Sequence, residues 1–276
     1  MKNVGIFYHP LIEAAQAKAK QLQDFLASEG ISIWLCSAWE AETVGRQLDD
    51  TDLVLSVGGD GTILRTAQAV VPRVTPIIGV NLGKLGFMTE LSADEAMEKL
   101  PALLSGKGWI DERAMLQAEF APDGRKTSVY HALNDVVVAR GGVARLVQVA
   151  ASIDGKHLAD YKADGVVVAT ATGSTGYSLA AGGPILYPHS KDFVLVPLMP
   201  HLSPAYALVL PAVTSVQLTV TAAQLATLSI DGHINMPLLN GMVITVKQSP
   251  HRTRFLRIHP EDSFYGLLEQ KLKGKR

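Results

Sequence analysis

Apolar and polar positions alternate along the chain in two different rhythms. Val4 to Tyr8 forms a short apolar run that predicts a buried strand, and a helical period follows from about Leu11 to Ser28. Leu22, Phe25 and Leu26 share one face of that helix, and Gly30 stands just past its end. Ile31 to Leu35 predicts a second strand and Leu53 to Val57 a third, which runs into Gly58-Gly59-Asp60-Gly61. An amphipathic segment from Ile63 to Val70 and a fourth strand from Ile77 to Val80 come next. Ser92-Ala93-Asp94-Glu95 has the spacing of a capping box and predicts the start of another helix. Strands alternating with helices favour an α/β domain, Rossmann-like, with a mostly parallel sheet.

Past Ile110 the long helical periods vanish. β-branched runs replace them at Val136–Val138, Val147–Val149, Val166–Val168, Val194–Val196, Val216–Val220 and Val243–Val246, with turn residues between. The expected organisation is an α/β domain over 1–110, an all-β sandwich-like domain over 111–258 and a C-terminal tail over 259–276. The tail ends in Lys271, Lys273, Lys275 and Arg276, a basic cluster that reads as a solvated or frayed terminus.

Composition narrows the function. In 276 residues, hydrophobic types make up 47% and charged types 18%, enough apolar material for sizeable cores. Twenty-five Lys and Arg against 26 Asp and Glu leave a net charge of −1, which argues against coating nucleic acid or an anionic membrane. The single cysteine, Cys36, excludes an internal disulfide and a cysteine-built zinc cluster. His9, Pro10 and Glu13 interrupt the first apolar stretch, and no window approaches the roughly 20 apolar residues of a spanning helix. A cytoplasmic protein is expected.

Asp-Gly recurs at 60–61, 123–124, 154–155, 164–165 and 231–232. A hairpin turn is the default reading, because both residues tolerate positive φ. It suits Asp123-Gly124 and Asp154-Gly155, and it is favoured for Asp164-Gly165 and Asp231-Gly232. Asp60-Gly61 differs: it follows a strand and two glycines and precedes a helix. Glycines there let backbone N–H groups converge on a phosphate at a helix N-terminus. A carboxylate among them makes sense as proton acceptor for a hydroxyl nucleophile, or beside a magnesium ion that bridges phosphates. A plain glycine-rich connection is the rival. The spacing fits neither a Walker A loop nor a GxGxxG fingerprint.

A second small-residue stretch runs from Thr170 to Pro184, between predicted strands Val166–Ala169 and Ile185–Tyr187. Its hydroxyls, amides and Tyr177 suit a nucleotide, or equally a glycine-rich loop in which Tyr177 packs on the domain interface. Asn134-Asp135 reads as capping before a strand. Lys84, in the Asn81–Phe87 loop, reaches either a phosphate or solvent. The histidines lack HxxxH or HExxH spacing, so no protein-built metal site is expected.

In this order, Gly58-Gly59-Asp60-Gly61-Thr62, the Asn81–Phe87 loop, Asn134-Asp135 and Thr172–Ser178 running into Ala181–Pro184 resemble the NAD kinase family, part of the superfamily of diacylglycerol kinases and 6-phosphofructokinases. The resemblance spans most of the chain. It implies phosphorylation of the adenosine-ribose 2′-hydroxyl of NAD by ATP or polyphosphate, with Mg²⁺, at a site between the two domains. It also implies a homodimer or homotetramer whose C-terminal tail packs on the first domain. By the same resemblance Asp60 is the proton acceptor and Gly61 lies against the dinucleotide. Arg65 partners phosphate or ribose, Asn134 and Asp135 bind the dinucleotide, and Arg145 lies near phosphate. Lys162 and Asp164 match a basic-x-Asp element. Thr175, Gly176, Tyr177, Ser178, Leu179 and Ala180 match a Thr-Ala-Tyr-Ser stretch. The sequence departs from the pattern at Ala171 for Pro, Gly176 for Ala and His233 for Gln, and Pro200–Ser203 is one residue short. A lipid kinase of the same superfamily and a dinucleotide sensor without transfer are the alternatives; the intact Asp60 weighs against the second.

Overall fold

Residues 1–83, 86–121, 126–142, 145–221, 225–261 and 263–272 are described by the structure, a computed structural model. Lys84, the Asp123-Gly124 pair and the basic residues from Lys273 onward lie outside the described residues. The chain divides into two units, Met1–Glu112 with Arg254–Arg276, and Arg113–Thr253.

The first unit begins with β1 (Asn3–Tyr8), α1 (Glu13–Ser28) and β2 (Ser32–Ser37), followed by a 3₁₀ segment over Ala41–Asp50. Then come β3 (Leu53–Val57), α2 (Asp60–Val70), β4 (Ile77–Asn81), the two-residue β5 (Leu91–Ser92) and α3 (Ala93–Leu104). The four main strands are all parallel, in the order β2-β1-β3-β4. The predicted parallel α/β sheet is therefore present. Its apolar strands are buried on both faces, as continuous apolar runs require. Ala15, Ala19, Leu22 and Leu26 bury one stripe of α1 against that sheet. Full burial of each leucine contributes about 2 kcal/mol. The capping box at Ser92 is made: Ser92 Oγ accepts the Glu95 N–H at 3.3 Å, and Glu95 Oε2 accepts the Ser92 N–H at 3.0 Å.

Two helices depart from expectation at their starts. α1 begins two residues late, after Pro10, with no side-chain cap. α2 begins at Asp60 instead of Ile63, because the Gly59 carbonyl already accepts the Thr62 and Ile63 N–H groups.

The long β6 (Trp109–Phe120) leads into the second unit, which continues with β7 (Ser128–Ala132), β8 (Asp135–Arg140), β9 (Val147–Ile153), β10 (Lys156–Ala163) and β11 (Gly165–Ala169). A 3₁₀ turn over Gly173–Thr175 and the single-turn α4 (Tyr177–Ala180) precede β12 (Phe193–Leu198), β13 (Leu208–Leu210) and β14 (Ser215–Val220). β15 (Ala226–Ile230), β16 (Ile234–Leu238) and most of β17 (Val243–Arg257) complete it; the end of β17 from Arg254 onward belongs to the first unit, and α5 (Ser263–Leu272) follows. One antiparallel sheet runs β10-β9-β14-β17, and the other runs β13-β12-β11-β8-β15-β16. Alternate residues of both sheets interdigitate into one core, as the sandwich reading predicted. β11 is buried on both faces: Val166 and Val168 enter that core, while Val167 and Ala169 join a second cluster with Val137, Val194 and Val196, against which Ala181 and Leu186 pack.

The Asp-Gly pairs have different fates. Asp154 and Gly155, at φ 50° and 77°, make the predicted two-residue hairpin between β9 and β10. Asp231 and Gly232, at φ 49° and 70°, turn the chain from β15 to β16. Asp164-Gly165 is not a hairpin. Asp164 is the one-residue corner at which the chain leaves β10 and starts β11 in the other sheet. Ile185–Tyr187 is not a strand either: Pro184 lacks an N–H, and the Leu186 N–H goes to Ser174 Oγ at 3.0 Å.

Candidate functional site

In the first unit, the loops that carry chemistry gather at the carboxyl ends of β1, β3 and β4. The β1–β3 boundary is where the connections diverge, α1 leading to β2 on one side and α2 to β4 on the other, and open α/β sheets bind ligands there. Gly58 is held by its N–H to the Val80 carbonyl at 2.9 Å. A Cβ on it would collide with the Thr62 side chain, so glycine is required by close approach. Asp60 occupies the first turn of α2. Its Oδ2 accepts the Phe87 N–H at 3.0 Å and its Oδ1 the Met88 N–H at 3.2 Å. Two bonds leave lone pairs over for a hydroxyl. Gly86 fits tightly beneath, since a Cβ there would land on the Asp60 carboxylate.

Beyond its own helix and chain neighbours, no described residue comes within 4 Å of a Cβ built on Gly61. Arg65, one turn further along α2, lies with its guanidinium carbon 4.2 Å from the centroid of the Trp39 ring, and the His9 ring is 4.5 Å from Trp39. That stack fixes a cation beside the glycine loop.

The second unit builds its own cluster around Asp231. The N–H groups of Leu133, Asn134 and Asp135 all point at its carboxylate, at 2.8, 2.7 and 3.0 Å. Asn134 and Asp135 are thus placed at the head of β8 by a residue almost a hundred positions later. The Asn134 carbonyl accepts the Thr170 N–H at 2.9 Å, and Thr170 Oγ1 donates to the Leu133 carbonyl at 2.6 Å and accepts the Gly173 N–H at 3.0 Å. A Cβ at Gly173 would meet the Asn134 carbonyl. Burial first, and then the charge of Asp231, pushes the Asp135 carboxyl up to about 7.

Other expected site residues spread outward from that cluster. Thr175 Oγ1 donates to the Thr172 carbonyl at 3.1 Å, Ser178 is buried, Leu179 is half-buried, and Gly176, Tyr177 and Ala180 are exposed. His233 sits in the Asp231 turn, its Nδ1 at 3.1 Å from the Asp231 carbonyl. Asp164 pairs with Arg140 at 3.1 Å. Lys162 and Arg145 are exposed. The Lys162 backbone is bonded to the shortened Pro200–Ser203 segment through the His201 N–H at 2.7 Å and Ser203 Oγ at 3.1 Å.

Thr62 Oγ1, Asn134 Oδ1 and Ser178 Oγ are buried without a hydrogen-bond partner among the described residues. These three lie in the stretches singled out from sequence, while Tyr161 Oη and Gln248 Nε2, also without a described partner, lie outside them; unmet polar atoms suit a polar ligand where the other site groups gather. Trp39 and Asp231 are among the residues that sequence reasoning missed. Trp39 carried no signal before its stack with Arg65, and Asp231 looked like an ordinary turn aspartate.

A parallel α/β unit with an acidic glycine loop, joined to an antiparallel sandwich with an Asx-led strand, defines a nucleotide-handling transferase. ATP-NAD kinase family models match it twice, the N-terminal domain over residues 11–108 and the C-terminal domain over 133–258. A protein named NAD kinase from Dehalococcoides mccartyi is 50% identical over 99% of this chain and 96% of its own length. One from Chloroflexus aurantiacus is 38% identical over 99% of both. The chain belongs to the NAD kinase family. Among solved structures, an NAD kinase from Archaeoglobus fulgidus in complex with ATP superposes with a TM-score of 0.78 at 25% identity, covering 98% of this chain and 99% of that one. Yeast NADH kinase complexed with NADH shares the fold, with a TM-score of 0.91 at 23% identity over 100% of this chain and 89% of the other.

Proposed function

We propose that the protein transfers the terminal phosphoryl group of ATP to the 2′-hydroxyl of the adenosine ribose of NAD, with Asp60 as the proton acceptor. One observation carries the assignment of Asp60. Its carboxylate stands in the glycine loop at the first turn of α2, aimed by two backbone N–H groups and with acceptor capacity to spare. As the hydroxyl oxygen bonds to phosphorus and the bond to the ADP oxygen breaks, the hydroxyl proton passes to Asp60. Phosphoryl transfer asks a protein mainly for position and charge stabilisation. The N-terminus of α2 and the amides of Gly59 and Gly61 suit the phosphate oxygens, and Arg65 supplies a fixed cation.

On the second unit, Asn134 and Asp135 suit ribose hydroxyls. The Thr175–Ala180 stretch offers hydroxyls and the half-exposed Tyr177 ring to the nucleotide. Arg145, Lys162, Asp164 and His233 are assigned to the same substrate by their match to the family pattern.

Magnesium that travels with the donor phosphates needs one or two protein carboxylates, not a cage. Asp60 is the carboxylate of the glycine loop, and no group of three or more His, Cys, Asp or Glu suited to a metal gathers among the described residues. When bound, the ion neutralises donor phosphate charge. No described helix is long and apolar enough to cross a membrane. We assign the protein to the cytoplasm and expect a homodimer or homotetramer. The test is NADP formation from NAD, ATP and Mg²⁺, read with an NADP-specific dehydrogenase and repeated with polyphosphate and with NADH. NADP formation supports the reading; absence of product with NAD still bound contradicts it.

A further inference from the structure

We propose that Arg257 is a positioning residue for Asp60, acting through the backbone of residues 87–90. The inference rests on Asp60 being the proton acceptor. Arg257 lies at the end of β17 with its side chain 7% exposed, far along the chain from the glycine loop. Its Nη1 donates to the Met88 carbonyl at 2.9 Å, to the Thr89 carbonyl at 3.4 Å and to Glu90 Oε2 at 3.2 Å, while Nε donates to Asp111 Oδ2 at 3.0 Å. The same guanidinium lies over the Phe255 ring, its carbon 4.7 Å from the centroid. The Met88 peptide nitrogen is one of the two donors that aim Asp60. Arg257 therefore holds Met88 by its carbonyl while Met88 holds Asp60 by its N–H.

Glu90 closes the other side of this arrangement. Its N–H donates to the Gly79 carbonyl at 2.8 Å, tying the segment to β4. Its Oε1 accepts the N–H groups of Ile258 and His259 at 2.7 and 2.8 Å and faces His259 Nδ1 at 2.9 Å. Glu90 and Asp111 are both buried, so the Arg257 charge is matched on two sides and the fork has one orientation open to it. A cation that served stability alone would need the two carboxylates; the bonds to the Met88 and Thr89 carbonyls fix a loop. Lysine keeps the charge but has a single donor atom, which cannot stand at once where Nε meets Asp111 and where Nη1 meets the Met88, Thr89 and Glu90 oxygens.

The experiment is a double-mutant cycle between Arg257→Lys and Asp60→Asn, with kcat and KM for NAD and ATP measured on variants whose folding is checked by thermal melting. Arg257→Lys should lower kcat by about tenfold or more, because a small misplacement of a reacting group is costly, while both KM values stay within about twofold. In the Asp60→Asn background the same change should have almost no further effect, as residues that act as a unit are not additive. Glu90→Gln keeps the side-chain shape and carries the same expectation should Arg257→Lys fail to fold. The proposal is overturned by a folded Arg257→Lys or Glu90→Gln protein with normal kcat, or by an equal drop in the Asp60→Asn background. Near-normal turnover of Asp60→Asn alone would instead overturn the assignment on which the proposal rests.

Discussion

Asp231 Oδ1 accepts the backbone N–H of Asn134 at 2.7 Å, joining the β15–β16 turn to the first residues of β8. The bond is reciprocated one residue on, where the Asp231 N–H donates to the Asp135 carbonyl at 3.0 Å. The loop entering β8 would otherwise leave three N–H groups without acceptors, and one carboxylate answers all of them. Asn134 and Asp135 are thereby presented in one fixed conformation.

Asp231→Ala removes those three acceptor contacts at once. Leaving buried N–H groups unpaired should destabilise the second unit by about 3–5 kcal/mol. Denaturant unfolding should show the loss as a lower midpoint, and calorimetry should show NAD affinity falling with it. A midpoint unchanged from the parent would mean the turn tolerates the loss.

Gly86→Ala places a methyl group on the Asp60 carboxylate. Turnover should fall by about ten- to a hundredfold, because the carboxylate must move and its aim matters more than its basicity. Steady-state kinetics with a melting curve separates this from unfolding. Normal kcat in the folded variant would mean that Asp60 works equally well when displaced.

Gly61 gives the opposite test. Among the described residues, nothing beyond its chain neighbours and the backbone of its own helix lies within 4 Å of a Cβ added there, and the residue is helical. Gly61→Ala should therefore leave stability unchanged or raise it by up to about 1 kcal/mol. If the dinucleotide lies against this residue, KM for NAD should rise by about tenfold, since a methyl group would occupy its place. An unchanged KM would remove Gly61 from the binding site.

Asp135 imposes a pH dependence whose sign follows from its raised pKa. Its carboxyl titrates at about 7 in the folded, ligand-free protein against an ordinary value of 3.8. Between those values the folded state holds a proton that the unfolded chain has lost, so this group's contribution to stability falls as pH rises across that window. The change is at most about 4 kcal/mol. Asp135→Asn should flatten it, and unfolding midpoints at pH 5 and pH 8 should differ less in the variant than in the parent. Equal pH dependence of the two would contradict the assignment.

Most of the fold was legible because each unit repeats one simple rhythm. The runs at Val4–Tyr8, Leu53–Val57 and Ile77–Val80 are buried strands, and the Ser92 cap fixed the start of α3 from four letters. What escaped was set by partners distant in sequence. Asp164-Gly165 has the letters of a hairpin, yet the neighbours of β10 and β11 make it a corner between sheets. Ile185–Tyr187 has strand letters, yet Pro184 and Ser174 take its backbone out of any ladder. In the candidate site, Asp60 announced itself through its glycines. Asp231, Trp39, Glu90 and Arg257 did not, because an organising carboxylate or a buried guanidinium gains its role from contacts across tens to more than a hundred residues of chain.

The central claim is that Asp60 accepts the proton in phosphoryl transfer to NAD. Asp60→Asn tests it most directly, with NADP formation and NAD binding measured side by side. The amide preserves size but cannot take the proton, so turnover should drop by about a hundredfold or more while the calorimetric Kd for NAD stays within a few-fold. Turnover close to the parent's would contradict the claim and send the search for the base to another residue.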